Sequence, residues 1–184
     1  MMADSHTQPV WHRSVFAFVS LFLTTWASLG TADTGNSIFL PYDAMRADVA
    51  ACMASPDFQN NPEACTRISF DTCMSDWDQP DDRVKQSNCN HHAFLIWRDV
   101  YQDELLELLQ RATVRDRSAA ADREPDISAF ELVMTRSVAW RQFREEECRF
   151  EQSEYGQSSA AGTAYSICLS RETSKRINIL RSRR

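Results

Sequence analysis

Six cysteines, two adjacent histidines and one run of three glutamates are the groups whose types could do chemistry, and spacing decides against most of it. Cys89-Asn90-His91-His92 offers three potential ligands, but they are nearly adjacent and lack the paired Cys-x-x-Cys spacing of a structural zinc site. No metal or other cofactor is expected. His6 and His12 lie in an N-terminal segment that reads as removable, so a histidine base would have to be His91 or His92, and neither belongs to a nucleophile motif. Glu145, Glu146 and Glu147 are consecutive; on a helix they fan around the surface instead of converging as an acid and base pair. The chain has no Gly-x-Ser-x-Gly, no phosphate-cradling glycine loop and no Cys-x-x-Cys redox pair. The expectation is a protein that binds and does not catalyse.

The remaining chemistry of the cysteines is disulfide formation. Cys148 and Cys168 flank a small-residue turn and would meet if the helices on either side form an antiparallel hairpin. Such a staple, closing a loop of about 20 residues, is worth roughly 3 kcal/mol in the chain-entropy description. Cys52, Cys65, Cys73 and Cys89 allow three pairings. If Cys65 and Cys73 share a helix they stand roughly 12 Å apart, beyond disulfide reach, which removes that pairing and Cys52 to Cys89 with it. Cys52 to Cys65 with Cys73 to Cys89 is preferred because each closes a local loop. The crossed pattern, Cys52 to Cys73 with Cys65 to Cys89, stays open.

An even cysteine count suits export. His12 and Arg13 precede an apolar run from Val15 to about Leu29, and Gly30-Thr31-Ala32 follows. This reads as a signal peptide over residues 1–32, cleaved after Ala32, because the run is shorter than the roughly 18–20 residues of a membrane span. No stable span is expected after cleavage, and the expected location is periplasmic or secreted. Residues 33–90 carry 10 acids and 4 bases, residues 91–154 carry 14 and 9, and residues 155–184 carry 1 and 6, so an acidic body ends in a basic tail. That balance argues against nucleic acid and favours a basic protein partner.

Strand-like alternation is nearly absent, so the class is all-α. Short helices are expected over 42–54 and 62–75, with turn chemistry from Ser55 to Asn61 between them. An acidic loop follows, Asp76-Trp77-Asp78-Gln79-Pro80-Asp81-Asp82. A long helix is expected over about 90–120, burying a stripe of Phe94, Trp97, Tyr101, Leu105 and Leu108 that Leu106 and Leu109 broaden. A capping box of Ser128 and Glu131 would open the next helix, over 128–154, which buries Phe130, Val133, Trp140 and Phe143. After a loop from Gly156 to Gly162, a last helix carries Leu169, Thr173, Ile177 and Leu180 on one face. The architecture is a disulfide-stapled bundle of three main helices behind a cysteine-rich two-helix extension. The extension spans 33–89 and the bundle 90–184, as one compact unit.

The stretch from Leu132 to Leu180 resembles the bacterial exported family of lysozyme inhibitor LprI-like domains. Arg136, Trp140, Phe143, Arg144, Cys148, Cys168, Arg171, Thr173, Arg176 and Leu180 carry the resemblance, and the helix Phe94 to Leu109 behind Cys89 looks like the family's first long helix. The turn here is Ser/Ala-rich where the family's is glycine-rich. The resemblance implies inhibition of lysozyme by binding. The spacing of Arg136, Trp140, Phe143 and Arg144 is accounted for structurally: Trp140 packs, and arginines lie over it or pair with carboxylates. For partner contact the sequence offers Asp76, Trp77, Asp78, Asp81 and Asp82, an aromatic set among carboxylates that a basic lysozyme would attract. The alternative is a cell-envelope adaptor module that binds another protein.

Overall fold

The computed structural model describes residues 42–75, 82–122 and 127–183. Six α-helices and one 3-10 turn follow in order: α1 (Tyr42–Met53), α2 (Pro56–Asn60), the 3-10 turn (Pro62–Cys65), α3 (Thr66–Ser75), α4 (Arg83–Asp122), α5 (Ala129–Ser153) and α6 (Ala160–Arg181). No strand occurs among the described residues, and the expected all-α class holds. No described helix is long and apolar enough to cross a membrane.

α4 begins seven residues before the expected Asn90. Asp82 supplies the cap: its carboxylate accepts from the Val84 N–H at 2.9 Å and the Lys85 N–H at 3.2 Å. Ser87, Asn88 and Asn90 look like a helix start in sequence, but the Asn90 amide donates to the Gln86 carbonyl at 2.7 Å inside the continuous helix. His91 and His92 therefore sit about two turns into α4 and not at its start.

The segment Ser55 to Asn61, read as a turn, contains the short helix α2. Pro56 at its first position has a φ already suited to a helix, and Phe58 provides the burial that holds it. Phe58 is 1 % exposed and stacks on Trp97 with ring centroids 6.3 Å apart. Burying such a side chain contributes roughly 1.5–3 kcal/mol, enough to fix a five-residue helix that propensity alone would not.

Trp97 and Ile96 on α4, Met45 and Val49 on α1, and Ile177 and Leu180 on α6 complete this core. Of the expected α4 stripe, Trp97 and Tyr101 are buried while Phe94, Leu105 and Leu108 are half-buried. Leu106 is exposed, because it turns away from the α6 side. The three disulfides join Cys52 to Cys65, Cys73 to Cys89 and Cys148 to Cys168. The first two are the local pairing, and they tie α1 to the 3-10 turn and α3 to α4.

α6 runs alongside the first half of α4 in the same direction. Its start lines a groove with Arg83, Val84 and Ser87, and its end is fixed by Arg181 on Glu104 at 2.7 Å. α5 is antiparallel to both, and Gly156 makes the reversal into α6 with φ of +57°, a conformation glycine adopts without a Cβ penalty. The reversal is shorter than the expected Gly156 to Gly162 loop, since α6 starts at Ala160 and takes Gly162 into its first turn. α4 continues beyond the end of α6, so its last turns and the first turns of α5 form a two-helix projection.

Candidate functional site

The residues with the most specific surroundings lie where α5 meets α4 and α6. Arg144 is 6 % exposed, and its guanidinium donates to the Thr173 hydroxyl at 3.1 Å and the Glu145 carboxylate at 2.7 Å. The Thr173 hydroxyl in turn donates to the Leu169 carbonyl at 2.6 Å. The Arg144 guanidinium lies 5.1 Å from the Trp140 ring centroid and 5.5 Å from that of Phe94. Arg176 lies 5.4 Å from the Trp140 ring, and Tyr101 packs on Trp140 at 4.7 Å. Trp140 thus carries two cations and an aromatic neighbour, an arrangement in which the ring quadrupole offsets the cost of half-burying guanidinium groups.

Glu145 anchors one end of this network. The Tyr165 hydroxyl donates to its second oxygen. Burial pushes the Glu145 carboxyl up, but the Tyr165 hydrogen bond and Arg144 outweigh it and hold the group below the usual carboxylate range. Burial and the same carboxylate push the Tyr165 phenol up. Arg171 closes the interface on the other side of Cys148 and Cys168, pairing with Glu151 at 2.6 Å.

Each sequence-derived site residue has a place. Trp140, Arg144, Arg171, Thr173 and Arg176 lie along the α5–α6 interface that Cys148 and Cys168 staple, whereas Leu180 is buried in the core with α1 and α4. Phe143 is 58 % exposed and Phe130 40 %, so neither is the core residue expected. The physical reason is the register of α5: Ser137, Trp140, Arg144 and Cys148 define its inward face, and a buried arginine occupies the position an apolar side chain was expected to hold. Arg136 is exposed as well. Asp82 caps α4, whereas Asp76, Trp77, Asp78 and Asp81 lie outside the described residues.

The sequence reading missed Tyr165 and Asp116, and it read Glu145 as one of three surface carboxylates where the structure bonds it to Arg144 and Tyr165. Tyr165 stands eight residues before Thr173, two helical turns along, which would have placed both on the face that carries Cys168 and Leu169. Asp116 had no local signal.

A groove of about 540 Å³ runs between α4 and α5, floored by Tyr101, Leu105 and Val138 and rimmed by Arg98, Arg141 and Arg149. Among the described residues no group of histidine, cysteine, aspartate and glutamate side chains is placed to hold a metal. Burial and the neighbouring His91 lower the His92 imidazole.

The pattern that folds into this interface is also the one that matches a known family, described as lysozyme inhibitor LprI, over residues 73–180. The chain belongs to the LprI family. The LprI match starts at Cys73, takes in α4, α5 and the whole α5–α6 interface, and ends at Leu180, the last of the residues buried on α6. α1, α2 and the 3-10 turn precede the matched LprI region. No curated protein and no solved structure matches the chain.

Proposed function

We propose that this LprI protein is an exported, non-enzymatic inhibitor that binds a lysozyme and occludes it. The membership of the LprI family over residues 73–180 carries this reading. Three disulfides support an oxidising compartment, periplasmic or outside the cell, with residues 1–32 as the signal that takes the chain there. The network around Trp140 serves as scaffold: Arg144, Thr173 and Arg171 each hydrogen-bond within the protein.

Charge supports the choice of partner. Asp43, Asp48 and Asp57 are exposed on α1 and α2, and none forms an ion pair among the described residues. The acidic sequence 76–82 adds to their charge, and a negative field of this kind would steer a basic hydrolase toward the protein. Within that loop Trp77 is the aromatic candidate for entering a saccharide cleft. The double substitution Asp76→Lys, Asp78→Lys is expected to weaken lysozyme binding about tenfold or more and to flatten its salt dependence. Isothermal titration at two ionic strengths checks this, and unchanged affinity would remove the loop from the interface.

One observation favours a second reading, an envelope adaptor that holds another protein. On the projection formed by α4 and α5, Val114, Ile127 and Leu132 are all at least half exposed, at 61 %, 75 % and 50 %. Exposed apolar side chains grouped on one projection are what a protein-docking surface presents. Co-purification of an envelope protein, without any effect on lysozyme, would distinguish the adaptor.

A further inference from the structure

Arginines at the α5–α6 interface divide into two sets. Arg144, Arg171 and Arg181 each meet a carboxylate, at 2.7, 2.6 and 2.7 Å. Arg176 meets none among the described residues, although it is half-buried with its guanidinium over Trp140 at 5.4 Å. Helical register brings two more unpaired cations to it. Arg136 lies one turn before Trp140 on α5, and Arg183 lies seven residues beyond Arg176, two turns along the same face past the end of α6. Both are exposed and neither has a carboxylate partner among the described residues. Burial lowers the Arg176 guanidinium from its ordinary value; the interaction with Tyr101 opposes that, and the charges of Arg136 and Arg183 add to it.

Two buried polar atoms adjoin this cluster. The hydroxyl of Tyr101, a residue 3 % exposed, faces the Arg176 guanidinium, and beyond that mutual contact neither it nor Arg176 Nε has a hydrogen-bond partner among the described residues. Three converging guanidiniums repel one another, and Trp140 compensates only one of them from its ring face. An anion set between them would reverse the sign of that interaction, and each guanidinium fork matches a phosphate or carboxylate in geometry.

We propose that Arg136, Arg176 and Arg183 form a binding site for an oxyanion, a phosphate or a carboxylate carried by a ligand, next to the Trp140 and Tyr101 rings. This site does not depend on the lysozyme reading. It assigns a function to two residues of the LprI pattern, Arg136 and Arg176, that meet no carboxylate among the described residues.

The experiment is thermal unfolding of the full oxidised protein in sodium phosphate and in sodium citrate, each against sodium chloride at matched ionic strength. Alongside it, Arg–Hε and indole N–H resonances are followed through the same titrations. Saturable stabilisation of several degrees by phosphate or citrate over chloride is expected, with shifts at the Arg176 and Trp140 resonances. Preference for one of the two probes identifies the ligand group as phosphate or carboxylate. In the Arg136→Ser, Arg183→Ser variant, both of whose altered positions are exposed so that folding is retained, the stabilisation should fall at least fivefold. An Arg67→Ser control on α3 should respond as the unaltered protein does. Equal effects of chloride and both probes, or an undiminished response in the double variant, would overturn the site.

Discussion

Arg144 is the residue on which the α5–α6 interface turns. It is a buried cation held by one hydroxyl, one carboxylate and two aromatic faces, so removing it takes a donor from Thr173 and the counter-charge from Glu145 and opens a gap beside Trp140. Arg144→Ala should cost about 2–3 kcal/mol, in keeping with a hydrogen-bonded charged group, and lower the urea midpoint accordingly. Arg136→Ala, at an exposed position, should leave the midpoint within about 0.5 kcal/mol of the original. The types and spacing of these residues were legible in the sequence, as was the presence of a cation over Trp140. Which side chain would be buried was not. Phe143 and Arg144 are neighbours, and hydrophobicity favours the phenylalanine, but Thr173 from a helix 29 residues away and Phe94 from α4 together make the inward position polar enough for the guanidinium.

At the scale of elements, the joint between α4 and α5 rests on one carboxylate. The Ser128 hydroxyl accepts from the Glu131 N–H at 3.1 Å, which is the Ser128 half of the expected capping box. Asp116 of α4 does the rest: it accepts from the Ala129 N–H at 2.7 Å, the Phe130 N–H at 3.1 Å and the Ser128 hydroxyl at 2.9 Å. Those backbone hydrogen bonds hold its carboxyl below the usual range. Because the folded value is depressed, the stabilisation is fully present above the ordinary carboxylate pKa of about 3.9 and is lost as pH falls through the lower folded value. Amide exchange at Ala129 and Phe130 should therefore be slow above pH 4 and lose protection, relative to the α5 interior, on acidification below it. Asp116→Asn should remove that pH dependence. Ser128→Ala should cost about 1 kcal/mol, measured by denaturant unfolding.

Helix existence on this scale was readable from periodicity, and the bounds of α5 fall within one residue of expectation. The start of α4 was not, because Asp82 caps it through a side chain that sequence assigns equally to the acidic loop. α2 was missed because its stability comes from Phe58 stacking on Trp97, a contact 39 positions along the chain and invisible to a local window.

The whole molecule joins a stapled front, formed by α1 to α3, to the three long helices of the LprI pattern. The cysteine spacing favoured the local pairing without deciding it against the crossed one, and each bridge closes a short loop, of 13, 16 and 20 residues. Replacing Cys148 and Cys168 together by serine should cost about 3 kcal/mol, read from the denaturant midpoint, and leave the front pair of disulfides intact. The same replacement should weaken lysozyme inhibition only as far as it unfolds the protein. Charge is distributed on this scale too: residues 33–90 carry ten acids against four bases, and on the proposed reading a basic hydrolase would be drawn to that segment. The most direct test of inhibition is a titration of c-type lysozyme, assayed by lysis of cell-wall suspensions, with the oxidised protein and with a fully reduced control. Saturating loss of lytic activity near equal stoichiometry, abolished on reduction, is the predicted result. Undiminished lysis at a large excess of oxidised protein would contradict it.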